Sequence, residues 1–569
     1  MRSFWGAGQL GLDLALEVGN ISQTVTVTSE SPLLITDSGS GGQVLNTDLV
    51  GSLPLLGSNV LSLINTTSGN SHVSAFPDHL SERPFDNGGM DGYSINGAPA
   101  GGNNNSYLID GAPNNNNEGA GFVPPPDAVS EVNVMTNEYD AEYGKTGGAI
   151  TSVALKTGTN AYHGVAYWNV RNNHLNGILH QLTKSQVTQW SEPGFQIGGP
   201  VRVPGYDGRN KTFFSVSFEH LFDASPSSVT RVYPSASQLS GNFCSGAPGN
   251  GGTGVVIYDP TTNPRQPIDT GAAVTCASLG EGTGSVIPAN RIDPAMKAVL
   301  SNIPAPNIAG CLNARSGGSC GGGDFTLPNG HGDNYHAITV RVDHNITNNE
   351  KIFASYEDGN RLEFIDNPGG PAGFFPLSNT WRINHGATFN LSSIISPTFI
   401  STAKVNWLRH NGLGRSSAPG SSPSAIGLSS SLSSLFGANN FPGIGFNTLI
   451  PNSTNPGSAV SYAGLSQGGT HTTSLVDNWT AQETLSKVVS AHSFKFGGLV
   501  TITTQNQQQA SLVPTINFSD VFTRSSPNSN SQSGGANGDA IATALLGYPT
   551  SISYTNPFRA SFATRYFAL

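Results

Sequence analysis

The stretch EYDAEYGKTGGAITSVALKTGTNAYHG, residues 138–164, decides how this chain folds. It opens acidic, turns at Tyr143-Gly144 and at Gly147-Gly148, and then alternates as a strand would from Ala149 to Lys156. Glycine serves where a turn needs φ > 0. Residues 157–162 form a short bridge, and an aromatic strand, HGVAYWNVR, begins at His163. The stretch reads as a hand-over from one β domain to another.

The composition agrees with a β protein that buries apolar surface in an unusual way. Only 11% of the 569 residues are charged, against about 25% in ordinary soluble domains. Gly accounts for 70 residues, yet 27 Phe, 15 Tyr and 6 Trp exclude a disordered chain. The net charge of −10 argues against a nucleic-acid partner, because phosphate binding needs a basic surface. No apolar run is long enough for a transmembrane helix. The N-terminus, MRSFWGAGQLGLDLALEVGN, is interrupted at Gly8, Gln9, Gly11 and Asp13, so it is not read as a signal peptide.

Period-two alternation recurs along the chain. In TFFSVSFEH, 212–220, Phe214, Val216 and Phe218 oppose Ser215, Ser217 and Glu219. In HAITVRVDH, 336–344, His336, Ile338, Val340 and Val342 oppose Ala337, Thr339, Arg341 and Asp343. FISTAKVNWLR, 399–409, and SFKFGGLVTI, 493–502, alternate in the same way. Short connections (PGYDGRN, NITNNE, SSIISPT, TLSKVVSAH) alternate with long ones over 222–334, 358–380, 410–472 and 505–560. A soluble sandwich has no reason to alternate so strictly, whereas an outer-membrane barrel does. About nine strands follow residue 159, and a tenth starts at ATRYFAL. Open edges are not tolerated in lipid, so the expectation is a fragment, truncated at its C-terminus and at its N-terminus.

DAVSEVNVMTNEYDAEYGKTGGAITSVALKTGTNAYHG resembles the end of the plug of TonB-dependent outer-membrane receptors. The matching residues are Val129, Val132, Val134, Tyr143, Gly144, Gly147, Gly148, Lys156, Thr157 and Gly158. YLIDGAP, with Asp110 and Gly111, resembles the family's earlier L-x-D-G turn. LVGSLPLLGSNVLSLINTTSGN resembles its first helix, with Leu53-Pro54 at the entrance. The chain is most similar to the Oar-like subgroup, in which a carboxypeptidase-regulatory-like β-sandwich precedes the plug. LALEVGNISQTVTVTSESPLLITDSG resembles the last strand of that sandwich. The resemblance implies a mainly β chain in three parts: residues 1–42 as sandwich tail and linker, 43–158 as plug, and 159–569 as the first part of an incomplete antiparallel transmembrane barrel. In the family that barrel has about 22 strands.

QTVTVTS, residues 23–29, resembles a TonB box. Gln23, Thr24, Val25, Thr26, Val27 and Thr28 would then pair with a sheet edge of TonB; the same residues also read as the sandwich's last strand. Cys244, Cys276, Cys311 and Cys320 fall in one long connection without zinc spacing and read as a disulfide framework. Sequential pairing is one of three possibilities. GLSQG places Ser466 in a G-x-S-x-G pattern but lacks a strand–turn–helix context. His331, Asp333 and His336 read as a loop rim entering a strand rather than as metal ligands. The Asn- and Gly-rich run from Asn96 to Gly121 suits loops whose amides could hydrogen-bond a glycan, or simply flexible turns. No cofactor and no covalent chemistry are expected. The resemblance implies outer-membrane lipid and TonB as partners, and uptake of a bulky, scarce solute. The alternative is a barrel-anchored surface adhesion or secretion-related protein.

Overall fold

The computed structural model describes residues 41–53, 55, 58–72, 93–99, 104–116, 119–137, 143–144, 146–175, 189–224, 227–247, 254–304, 325–366, 377–417, 442–451, 459–465, 470–511, 514–526, 538–553 and 557–569. Gln23 to Thr28, the sandwich tail, Cys311, Cys320 and Ser466 lie outside the described residues. Residues 40–569 form one compact unit.

A wall dominates this unit. Ten strands follow one another in sheet order, each antiparallel to the next: His163–Asn172, Gln189–Pro200, Thr212–Ala224, Phe325–Asn345, Glu350–Asp366, Leu377–Ser396, Phe399–Ser417, Thr470–Val489, His492–Ser511 and Phe558–Ala568. Among the described residues the first and last of these are paired on one side only.

The wall's faces are inverted relative to a soluble sheet. In Thr212–Ala224 the polar Ser215, Ser217, Glu219 and Asp223 are buried, while Phe214, Val216 and Phe218 are only half-buried and Phe222 is exposed. Phe389, Val405, Trp479, Phe494, Phe496 and Ile502 also stand in the open, at 41–53% exposure. Such a face is stable only against an apolar solvent. Its borders are marked by rings. Tyr356, His385, Trp407 and Trp479 form a chain across four adjacent strands, with centroids 6.4, 6.4 and 6.0 Å apart. Near the short turns, Lys487 lies over Phe399 at 5.4 Å and Arg202 over Tyr162 at 5.8 Å. From Phe399 to Trp407 a strand rises about 26 Å. A tilt of about 40° reduces this to roughly 20 Å, close to the apolar band of a membrane barrel.

Several strands are far longer than a bilayer requires. Phe325–Asn345 has 21 residues, Leu377–Ser396 has 20 and Phe399–Ser417 has 19, whereas about 9–11 suffice. The strands thus extend into stretches expected to be connections, such as 358–366 and 410–417.

The remainder of three long connections folds together as a cap. Gly443–Pro451 pairs with Ala459–Leu465 and, in parallel, with Thr515–Ser519, which in turn pairs with Ser551–Ser553. Helices Pro294–Leu300 and Ala540–Leu545 pack with them. One core joins Tyr233, Phe243, Ile257, Val299, Phe446, Leu465, Phe518 and Ile541. Cys244 and Cys276 are disulfide-bonded within the cap, with Cα atoms 5.5 Å apart.

Residues 41–155 build an inner domain around a five-stranded sheet. Val129, Val132 and Val134 of Val129–Asn137 are fully buried there. The stretch expected to be one helix is two pieces, an α-helix Thr47–Ser52 and a 3-10 helix Val60–Thr66. The break falls at Leu53, whose ψ is 132°; a residue preceding proline is driven out of the helical region.

Candidate functional site

The inner domain lies against the wall's polar face, and the motif residues sit on the seam. Strand Ser106–Ile109 turns on Asp110 (φ 50°) and Gly111 (φ 70°) into Ala112–Pro113, with Ile109 paired to Ala112. Two consecutive positive φ angles make a type I′ turn, for which Asp-Gly is a favoured pair. The turn tip meets two wall cations. Arg341 contacts the Asp110 carboxylate at 2.7 Å, and Lys404 Nζ donates to the Asp110 carbonyl oxygen at 2.7 Å. A Cβ at position 111 would crowd that ammonium group. Leu155 N–H donates to the other carboxylate oxygen of Asp110 at 3.0 Å. Burial raises the Asp110 carboxyl above its ordinary value, with Arg341 pulling the other way. Apolar contact completes the seam: Ile109, Phe122 and Leu155 share a core with Leu221, Tyr335 and Ala337 of the wall.

Beside this turn is a cavity of about 180 Å³. The inner domain contributes Ser106, Gly111, Tyr143 and Thr146, and the wall contributes Thr480, Gln482, Thr501 and Tyr566. Among the described residues the lining carries hydroxyls and amides and no charged side chain. Asn478 bridges the two halves, its amide donating to the Asn115 carbonyl at 2.8 Å. The volume is below the ~300 Å³ of an ordinary ligand pocket, room for no more than a ring-sized group.

None of the turn glycines Gly144, Gly147 and Gly148 has a positive φ, and Gly148 acts through space instead. A Cβ on Gly148 would collide with the Asn104 backbone, which accepts from Gly148 N–H at 2.8 Å, whereas Gly147 has open space. Gly144 follows Tyr143 in a short helical turn.

The asparagines of the Asn-rich run hold the inner domain together. Asn105 donates to the Tyr93 carbonyl at 2.8 Å and accepts from Ala149 N–H at 3.1 Å. Asn114 and Asn115 make comparable side-chain bonds to Phe122 and Tyr107 backbones. These amides are engaged internally, which a composition count cannot reveal.

His331, Asp333 and His336 do not converge. All three lie on one strand, and period two puts His336 on the face opposite the other two. His331 contacts Glu363 at 3.2 Å, Asp333 pairs with Arg361 at 2.7 Å, and His336 contacts Asp358 at 3.2 Å. Among the described residues no group of three metal-ligating side chains is found.

In the cap, Arg291 contacts Asp259 through both guanidinium nitrogens at 2.7 and 3.0 Å. These bonds hold the Asp259 carboxyl well below the usual carboxylate range.

Residues 154–569 match the family described as outer membrane beta barrel domain. No curated protein matches the chain. Among solved structures, the outer membrane transporter YddB from Escherichia coli is similar at 8% identity and a TM-score of 0.48, over 93% of this chain and 54% of that one. The open form of the ferric-catecholate import receptor Fiu from E. coli K12 is similar at 10% identity and 0.40, over 94% and 67%. The ferric yersiniabactin uptake receptor FyuA from Yersinia pestis is similar at 8% and 0.40, over 93% and 61%. The chain spans between about half and two thirds of the length of these structures.

Proposed function

Because the chain belongs to the outer membrane β-barrel domain family, we propose that it is part of an Oar-like, TonB-dependent receptor that takes up a bulky solute across the outer membrane. The observation that carries this reading is the pinned inner domain. A domain held on the wall's polar face at Asp110 by Arg341 and Lys404 is what a plugged channel requires. In this reading residues 43–158 are the plug, and the short turns face the periplasm. The cap receives the solute at the cell surface, and the neutral cavity beside Tyr143 binds a polar part of it such as a glycan unit. TonB engages Gln23 to Thr28 and draws energy from the inner-membrane proton gradient. No residue carries covalent chemistry.

A folded, disulfide-stapled cap also supports the second reading, a barrel-anchored surface adhesion protein. Cells expressing the full-length gene would be offered a panel of labelled oligosaccharides, with and without a protonophore. Accumulation that stops with the protonophore and with deletion of residues 23–29 supports uptake. Surface binding that is indifferent to both supports adhesion and sinks the transport reading.

A further inference from the structure

We propose that Glu357 is a standby partner for Arg341: when the inner domain leaves the wall, Arg341 exchanges the Asp110 carboxylate for that of Glu357. The proposal deepens the transport reading, because it takes the inner domain as a part that separates from the wall.

Arg341 divides its guanidinium between two carboxylates. Nε and Nη2 donate to Asp343 of the same strand at 3.0 and 2.8 Å, and Nη1 meets Asp110 at 2.7 Å. The Phe353 ring, with its centroid 4.1 Å away, backs the group. Departure of the inner domain therefore frees one donor, Nη1, on a guanidinium that the wall still holds in place.

Glu357 stands beside it. Arg341 is in register with Ser355, and Thr339 with Glu357, so Arg341 and Glu357 are diagonal neighbours on the wall's inner face. Such neighbours are about 7–8 Å apart, within reach of long side chains. Glu357 is 3% exposed, and its Oε1 is buried without a hydrogen bond. The Ser355 hydroxyl beside it interacts only weakly. Among the described residues no cation is ion-paired with Glu357. The charges that act on it are Asp110, which repels, and Arg341, which attracts.

The cover over Glu357 belongs to the inner domain. Ile109, Ala112 and Phe122 close a gap of about 10 Å³ that Glu357, Gly386 and Asn406 line from the wall, room for one water at most. Gly386 is opposite Glu357 in register, and a Cβ there would sit 2.7 Å from the other carboxylate oxygen. The seated inner domain thus keeps a carboxylate buried without a cation, which is disfavoured. Its departure relieves that burial as Arg341 loses an acceptor, so the two wall groups satisfy each other.

Hydrogen exchange at residues 106–113 and 150–155 of the purified full chain in detergent reads the opening of the seam. It needs no solute and no energy source, so it stands apart from the uptake assay. Glu357→Gln should slow exchange there about tenfold or more, the scale of a charged hydrogen bond lost from the open state. Glu357→Asp keeps the buried charge but is one methylene too short to reach Arg341, and it should slow exchange as well. Adding Glu357→Gln to Asp110→Asn should also slow exchange, which mere relief of repulsion from Asp110 would not do. Glu350→Gln, on an exposed turn, should change nothing. The proposal is overturned if either folded Glu357 variant exchanges at the parent's rate or faster. Slowed exchange in a chain that takes up no solute would keep the standby pair and drop the transport reading.

Discussion

Asp110 and Arg341 meet at 2.7 Å across the seam between the inner domain and the wall, with side chains only 5% and 11% exposed. Arg341 is shared, because Asp343 also contacts it at 2.8 Å, and its guanidinium lies 4.1 Å from the Phe353 ring centroid. Burial outweighs Arg341's attraction in setting the Asp110 carboxyl. The pair therefore fixes where the inner domain sits more than it adds to net stability.

Asp110→Asn tests this. Arg341 keeps Asp343, so the loss should be about 1–3 kcal/mol, the scale of a charged hydrogen bond, and not the full penalty of a stranded charge. Hydrogen exchange should rise at residues 106–113 and 150–155 while the wall strands remain protected. Faster exchange spread evenly over the wall would contradict a local role.

The cap should lose stability in acid. Asp259 has a folded-state value below its unfolded one, so its contribution is present above the ordinary carboxylate range near pH 4. It fades as pH falls from there through the folded value. Protease resistance of the cap followed from pH 6 to pH 2 should decline below about pH 4. Asp259→Asn should lower resistance at pH 7 and flatten this decline. An unchanged profile in the variant would remove Asp259 from the account.

Reduction should loosen the cap and spare the wall. The Cys244–Cys276 bond closes a 32-residue separation, for which chain entropy gives about 3–4 kcal/mol. The melting transition of the cap should fall in reductant, and Cys244→Ser with Cys276→Ser should match it without further response to reductant.

Phe389 tests which face meets lipid. It is 48% exposed between the two ring borders. Phe389→Arg should cost about 2–4 kcal/mol in folding from urea into bilayers if the residue faces the membrane interior. A variant as stable as the parent would mean that this face is wet.

The alternation in 212–220 was plain in the sequence, because Phe214, Val216 and Phe218 oppose Ser215, Ser217 and Glu219. Which face is buried was not, because alternation has no sign; only the packing of Leu221 against Ile109 and Phe122 supplies it. The strand ends at 358–366 and 410–417 were illegible for a related reason. With no apolar face, as in NGLGRSS, they leave no periodic trace, and their order comes from neighbouring backbones. The cap was hidden more deeply. Its contacts join distant segments, such as Gln238 to Tyr462 at 2.9 Å and Arg265 to the Val521 carbonyl at 2.8 Å. No local window contains both members. The Asp-Gly turn at Asp110 was readable because its chemistry is local, whereas its wall partners were not.

The interlocking of the cap has a consequence for surface recognition. Its core draws residues from Val232 to Leu546, so no single connection can present that surface alone. An antibody raised against the native cap and blind to isolated loop peptides would bind only chains whose strands up to residue 511 already stand in order. In the proposed reading, where the cap faces the cell surface, such an antibody would report assembly of the wall from outside the living cell.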